Sequence, residues 1–163
     1  MVQGVFHSFQ ITLHTKDKAL LEQIQSYFGG VGSITKHRSE SIHYRVDSVE
    51  NLIVILNHFD KYPLITQKWN DYQLFQQALM LIQNKEHLTM EGLSKIVAIK
   101  ASMNTGLSDE LKAAFPDITP VQRPNVLNCR IKDPYWLAGF VSPLYFFRMK
   151  KKRDRRMFLH KNF

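Results

Sequence analysis

Cysteine is almost absent: Cys129 is the only one in 163 residues, which excludes an internal disulfide and any cysteine-based zinc site. A lone thiol of this kind fits a reducing compartment. Long apolar runs are missing too, so no segment is expected to span a bilayer. Residues 1–10 lack the basic start and apolar stretch of a secretory signal, and they are not an Arg-rich amphipathic leader. Acidic residues are in deficit, 14 against 22 Lys and Arg, leaving a net charge of +8. That excess favours a polyanion, because each cation paired with a phosphate releases a condensed counterion. Charge alone leaves nucleic acid, an anionic membrane and a merely basic protein open. The seven histidines include no pair at i and i+4, so they read as surface or nucleic-acid-facing groups rather than metal ligands.

What is present is a core-forming fraction of 44% hydrophobic residues, arranged with clear periods. Phe9, Ile11 and Leu13 alternate with Gln10, Thr12 and His14, the period of a strand with one apolar and one polar face. A helix should follow, capped by Asp17, carrying Leu20, Leu21, Ile24, Tyr27 and Phe28, and stopped by Gly29-Gly30. Strands are expected at 32–37, with Ser33, Thr35 and His37 outward, and at 41–48, where Ile42, Tyr44 and Val46 alternate with His43, Arg45 and Asp47. Residues 38–40 form the hairpin turn between them. A second helix starts near Val49 with a stripe of Leu52, Ile53, Leu56 and Phe59, and Tyr62-Pro63 interrupts it. Helices at about 67–83, after Thr89, and at 108–115 follow, before a connector punctuated by Pro116, Pro120 and Pro124. This is an α+β plan, a strand layer backed by helices. Its polar face carries Gln10, Thr12, His14, Ser33, Thr35, His37, His43 and Arg45. Those donors and acceptors suit base edges in a major groove, which admits a two-stranded ribbon. The same pattern also describes an ordinary solvated sheet face.

Three stretches carry a family resemblance: FQITLHTKDKALLEQIQSYFGGVGSI at 9–34, HFDKYPLITQKWNDYQLF at 58–75, and NKEHLTMEGLSKIVAIKASMNTGLSDELKAAFP at 84–116, followed by WLAGF at 136–140. In this order they resemble the single-chain LAGLIDADG homing endonucleases encoded in mitochondrial introns. The resemblance implies a homing-endonuclease-like half, with a curved antiparallel sheet that lies on double-stranded DNA and an incomplete αββαββα repeat. It implies residues 1–116 as a partial first repeat with following helices, 117–135 as connector, and 136–163 as the start of a degenerate second repeat with a basic tail. The implied family activity is magnesium-dependent hydrolysis of both DNA strands, with a carboxylate at the end of each motif helix. Lys68, within KYPLITQK, corresponds to the family's active-site lysine.

Against that pattern the chain is expected to be truncated or degenerate. It begins at what resembles the second strand of the first half, without the first motif helix and its acid. In the second motif, Pro143, Leu144 and Tyr145 stand where the family places a small residue, an acid and a glycine. Leu144 has no oxygen to offer a metal, so no metal ligand is assigned, no productively bound Mg2+ is expected, and the isolated chain is expected to be inactive. The expected partners are double-stranded DNA, or intron RNA as the alternative, and a chain that supplies the missing helix; no membrane is expected. A maturase-like RNA-binding factor and a non-catalytic structural subunit are the competing readings. The run Lys150, Lys151, Lys152, Arg153, Arg155 and Arg156 would hold phosphate without selecting sequence.

Overall fold

The period-two run at the N-terminal end forms strand β1, Phe9–His14, with its odd positions turned inward and Gln10, Thr12 and His14 exposed. The computed structural model describes residues 5–125, 131 and 133–136. The chain divides into two compact units, Met1–Val126 and Leu127–Phe163. In the second, Asp133 caps a short helical turn, accepting from the Tyr135 amide at 2.8 Å. The expectations for Leu144 and for the basic tail lie outside the described residues.

After β1 a 3-10 turn at Thr15–Asp17 runs directly into helix α1, Lys18–Tyr27. Contrary to expectation, Asp17 does not cap this helix. Its backbone already turns (φ −96°, ψ 19°) and its side chain makes no capping bond, whereas an N-cap needs extended geometry to reach back to the helix amides. His14 acts as the cap three residues earlier, accepting from the Lys16 amide at 3.1 Å. The buried stripe of α1 is narrower than expected: Leu21 is fully buried, while Leu20 and Tyr27 lie on the exposed side.

Strands β2, Ser33–Arg38, and β3, Ser41–Val46, form an antiparallel hairpin, and β3 also pairs with β1, giving the order β1-β3-β2. The loop from α1 into β2 uses left-handed backbone at Gly32 (φ +78°). A Cβ there would meet the Arg45 carbonyl at 2.5 Å, so only glycine lets the loop pass this close to β3. The central strand buries Ile42, Tyr44 and Val46. Tyr44 satisfies its buried hydroxyl by donating to the Val31 carbonyl at 2.9 Å. The strand stops at Val46, and Ser48, expected inside it, instead caps helix α2, Val49–Lys61, by accepting from the Asn51 amide.

Helix α2 lays Leu52, Ile55, Leu56 and Phe59 against the sheet's inner face. Ile55 is buried where Ile53 was expected, because positions 52, 55, 56 and 59 fall on one helical face and 53 lies about 100° around it. Helix α3, Lys68–Gln83, contributes Leu79 and Phe75 to this core. Its other side packs against α4, Met90–Ser102. There Ile82, Ile96, Val97 and Ile99 are buried. Thr89 caps α4 through the Gly92 amide, and Ser108 caps the short α5, Asp109–Ala114. The start of the connector is fastened to α4: the Val121 amide donates to the Ala98 carbonyl, and the Ser102 hydroxyl donates to the Val121 carbonyl.

Candidate nucleic-acid interface

All helices that complete the core lie on the inner face of the sheet, so its outer face is left to polar side chains. The register places them in rows. Gln10 of β1, Arg45 of β3 and Ser33 of β2 sit side by side. The next row is Thr12, His43 and Thr35. His37 joins the same face through a bulge between Lys36 and Arg38, which brings its ring to 3.8 Å from that of His43. An extra residue of this kind bends the strand and re-aims its side chains. All of these residues are exposed except His43, which is half-buried.

His43 is the centre of the arrangement. Its Nδ1 lies 2.7 Å from Thr12 Oγ1 and 2.7 Å from the Gln10 side-chain nitrogen, which is also 3.2 Å from its Nε2. An amide nitrogen can only donate, so these contacts need a bare ring nitrogen to accept, that is, a neutral imidazole. The electrostatics agree. Partial burial holds the His43 pKa below the ordinary imidazole value, helped by His37, Arg45 and Arg38. Arg45 is oriented from one side, its Nε 3.4 Å from an Asp47 oxygen. His14 stands apart at the end of β1. Its Nδ1 is engaged by the Lys16 amide, and its Nε2 lies 3.6 Å from Glu40.

Lys68 opens α3 and lines a cleft of about 320 Å³ together with Phe9, Gln10, Phe59, Asp71 and Asn104. One edge of the polar face therefore shares a recess with the lysine. Lys68 Nζ lies 3.6 Å from Asp71 and donates to Asn104 Oδ1 at 3.5 Å. Asp71 is largely buried and also accepts from the Asn104 amide at 3.1 Å and from Arg123 at 2.9 Å. Sequence reasoning does not single out Asp71, Asn104 or Arg123. Lys68 and Asp71 share the first turn of one helix, which spacing reveals, but nothing local points from residue 71 to residue 123.

A hard divalent cation such as Mg2+ needs several oxygen ligands. Among the described residues there is no group of three or more His, Cys, Asp or Glu side chains able to hold a metal. The one carboxylate beside Lys68 is already engaged by two cations and a backbone amide. The described residues therefore do not fit a magnesium ion. Among them, no helix is long and apolar enough to cross a membrane.

The profile of the LAGLIDADG endonuclease family matches residues 2–79. Over 137 residues the chain is 55% identical to probable intron-encoded endonuclease 3 of Neurospora crassa, covering 82% of this chain and 26% of that protein. It is 33% identical over 89 residues to the probable intron-encoded DNA endonuclease aI1 of Mycosarcoma maydis, covering 53% of this chain and 74% of that protein. Its fold superposes with a TM-score of 0.82 and 52% identity on the I-SmaMI LAGLIDADG homing endonuclease bound to cleaved DNA, covering 84% of this chain and 46% of that one. The chain thus spans about a quarter of the first of these relatives and just under half of the solved enzyme.

Proposed function

The chain belongs to the LAGLIDADG endonuclease family, and from that premise we propose that it binds double-stranded DNA through the outer face of its three-stranded sheet. The observation that carries this is the row of Gln10, Arg45 and Ser33 beside the row of Thr12, His43 and Thr35, all on the face that no helix among the described residues covers. Two adjacent strands of this sheet make a ribbon that a major groove admits, and there arginine pairs with guanine and glutamine with adenine. Similarity to an enzyme solved on its DNA supports the same reading. Lys36, Arg38 and Lys68 add positive charge on exposed positions, which favours phosphate contact.

Metal-assisted cleavage of both strands is the activity that family membership suggests for the complete enzyme, with Mg2+ as its cation. Lys68 would stabilise charge near the scissile phosphate. The described residues hold only one carboxylate at that lysine, and position 144 is leucine. The function proposed for this chain is therefore recognition of DNA rather than its hydrolysis. The curated relatives are named as intron-encoded, and a mitochondrial intron is the proposed source. The test is competition binding of the purified chain to a randomised duplex against intron RNA of matched length. Enrichment of particular duplex sequences supports the reading. Preference for the RNA with no duplex selectivity would overturn it in favour of a maturase-like role, and binding to neither would leave only a structural subunit.

A further inference from the structure

We infer that His43 is the positioning residue of the outer sheet face, and that its protonation reverses which group Gln10 presents to a base. The inference rests on the DNA-binding reading above and adds to it a device for specificity.

The geometry is local and complete. His43 lies in the central strand, and its ring is where two side chains of β1 converge: Thr12 Oγ1 lies 2.7 Å from Nδ1, and the Gln10 amide nitrogen lies 2.7 Å from Nδ1 and 3.2 Å from Nε2. With the ring neutral, its bare nitrogen accepts from the Gln10 amide nitrogen. That fixes the amide plane and leaves the Gln10 carbonyl oxygen as the group free to meet a base. With both ring nitrogens protonated, a donor would face a donor. The amide must then turn so that its oxygen accepts from the ring, and its NH2 becomes the outward group. An outward acceptor suits the exocyclic amines of adenine and cytosine, and an outward donor suits the oxygens and N7 of guanine or the O4 of thymine. One proton on His43 therefore changes the kind of base edge that Gln10 can read.

The surroundings set when this happens. From β1 the groups facing the ring are the uncharged Gln10 and Thr12. From β2 they are His37, its ring tilted at 52° with centroids 3.8 Å apart, and Arg38; from β3 itself, Arg45. Every charged or titratable group among them is cationic or becomes so, which keeps His43 neutral at neutral pH. DNA phosphate at the same face has the opposite sign, and so binding draws the transition toward physiological pH.

The experiment is selection of the chain on a randomised duplex library at about pH 8 and about pH 5.5, on either side of the ordinary imidazole value. The wild type should show, at one base position, a preference for adenine or cytosine at the higher pH that moves about fivefold or more toward guanine or thymine at the lower, the discrimination of a single base contact. Gln10→Ala should erase both the preference and its pH response at that position alone. His43→Gln can still accept through its amide oxygen but has no proton to gain, so the preference should persist and stop responding to pH. His37→Ala should move the midpoint upward by removing a neighbouring cation. A merely structural role for His43 would lower affinity at both pH values alike, and that result would overturn the inference. So would a position erased by Gln10→Ala whose wild-type preference does not move with pH, or a pH response that survives in His43→Gln; in these cases the DNA-binding reading stands. If the wild type enriches no duplex sequence at either pH, the reading of the face fails and the inference with it.

Discussion

Arg123 reaches back to Asp71 and donates to its Oδ1 at 2.9 Å, tying the proline-punctuated connector to the first turn of α3. The carboxylate is 15% exposed and the guanidinium 41%, so water screens this pair less than an ordinary surface ion pair. Removing the arginine leaves a largely buried carboxylate with one cation fewer. Arg123→Ala should cost about 1–2 kcal/mol, less than the roughly 1.5–3 kcal/mol of a fully shielded hydrogen bond to a charged group because the guanidinium is partly screened by water, read as a lower urea midpoint with an unchanged slope. Asp71→Asn should cost less, because the amide oxygen still accepts from the Asn104 amide. If Arg123→Ala leaves the midpoint unmoved, the connector is not held here.

The same cluster bears on catalysis. Asp71 is the carboxylate nearest Lys68, and its oxygens are engaged by Arg123, Asn104 and Lys68. Position 144 is leucine. With Mg2+ and a selected target, the 163-residue chain should therefore give no metal-dependent cleavage above background. Time courses on supercoiled plasmid, where a single nick is visible, are the measurement. Cleavage that requires metal and disappears in Lys68→Ala would mean that carboxylates outside the described residues complete the site.

A third expectation concerns acid stability. His58 sits among Tyr27, Phe28, Phe59 and Tyr62, with ring centroids 5.1–5.4 Å away. Burial lowers its pKa, so the folded chain takes up this proton less readily than the unfolded one. Stability is then complete above the ordinary histidine value of about 6.5 and falls as pH drops below it, levelling off beneath the depressed folded value. Thermal melts from about pH 7.5 to about pH 5 should show this decline. In His58→Phe the decline should be shallower, with some of the remaining slope carried by His43, whose pKa is lowered in the same direction.

How much of this is legible in the sequence depends on the range of the interaction. The alternation at 9–14 and 41–46 is local, with a period that only a half-buried strand satisfies, and the structure has both strands with those faces. Gly29-Gly30 ends α1 because both adopt positive φ. Expectation and structure differ in detail where two local solutions compete. Asp17 and His14 could each satisfy the amides at the start of α1, and Ile53 and Ile55 are both apolar on α2. Tertiary packing decides such cases. Least legible are contacts whose partners are far apart in the chain: Arg123 with Asp71, and His43 with Gln10 and Thr12. The eight outward residues can be named singly, but the bulge that brings the His37 ring against His43 follows from strand pairing.

The final prediction separates reading from holding. Arg45 neighbours Gln10 and Ser33 in the register, and Asp47 engages its Nε, which leaves the terminal nitrogens for a guanine edge. Losing a contact of this kind should cost about 1–3 kcal/mol at one base position and little elsewhere. The C-terminal run has six cations between Lys150 and Arg156 with Asp154 among them, and its expected contacts are to phosphate. Deleting residues 149–163 should weaken binding by a similar factor on every sequence and flatten the salt dependence, because fewer counterions are released. Asp47→Ala should fall between these outcomes, preserving the guanine preference but reducing its sharpness, since the arginine loses the group that orients it. A competition series on a randomised duplex at two salt concentrations distinguishes the three variants. Uniform weakening by Arg45→Ala, with no change in base preference at any position, would mean that the sheet carries positive charge to the DNA without reading it.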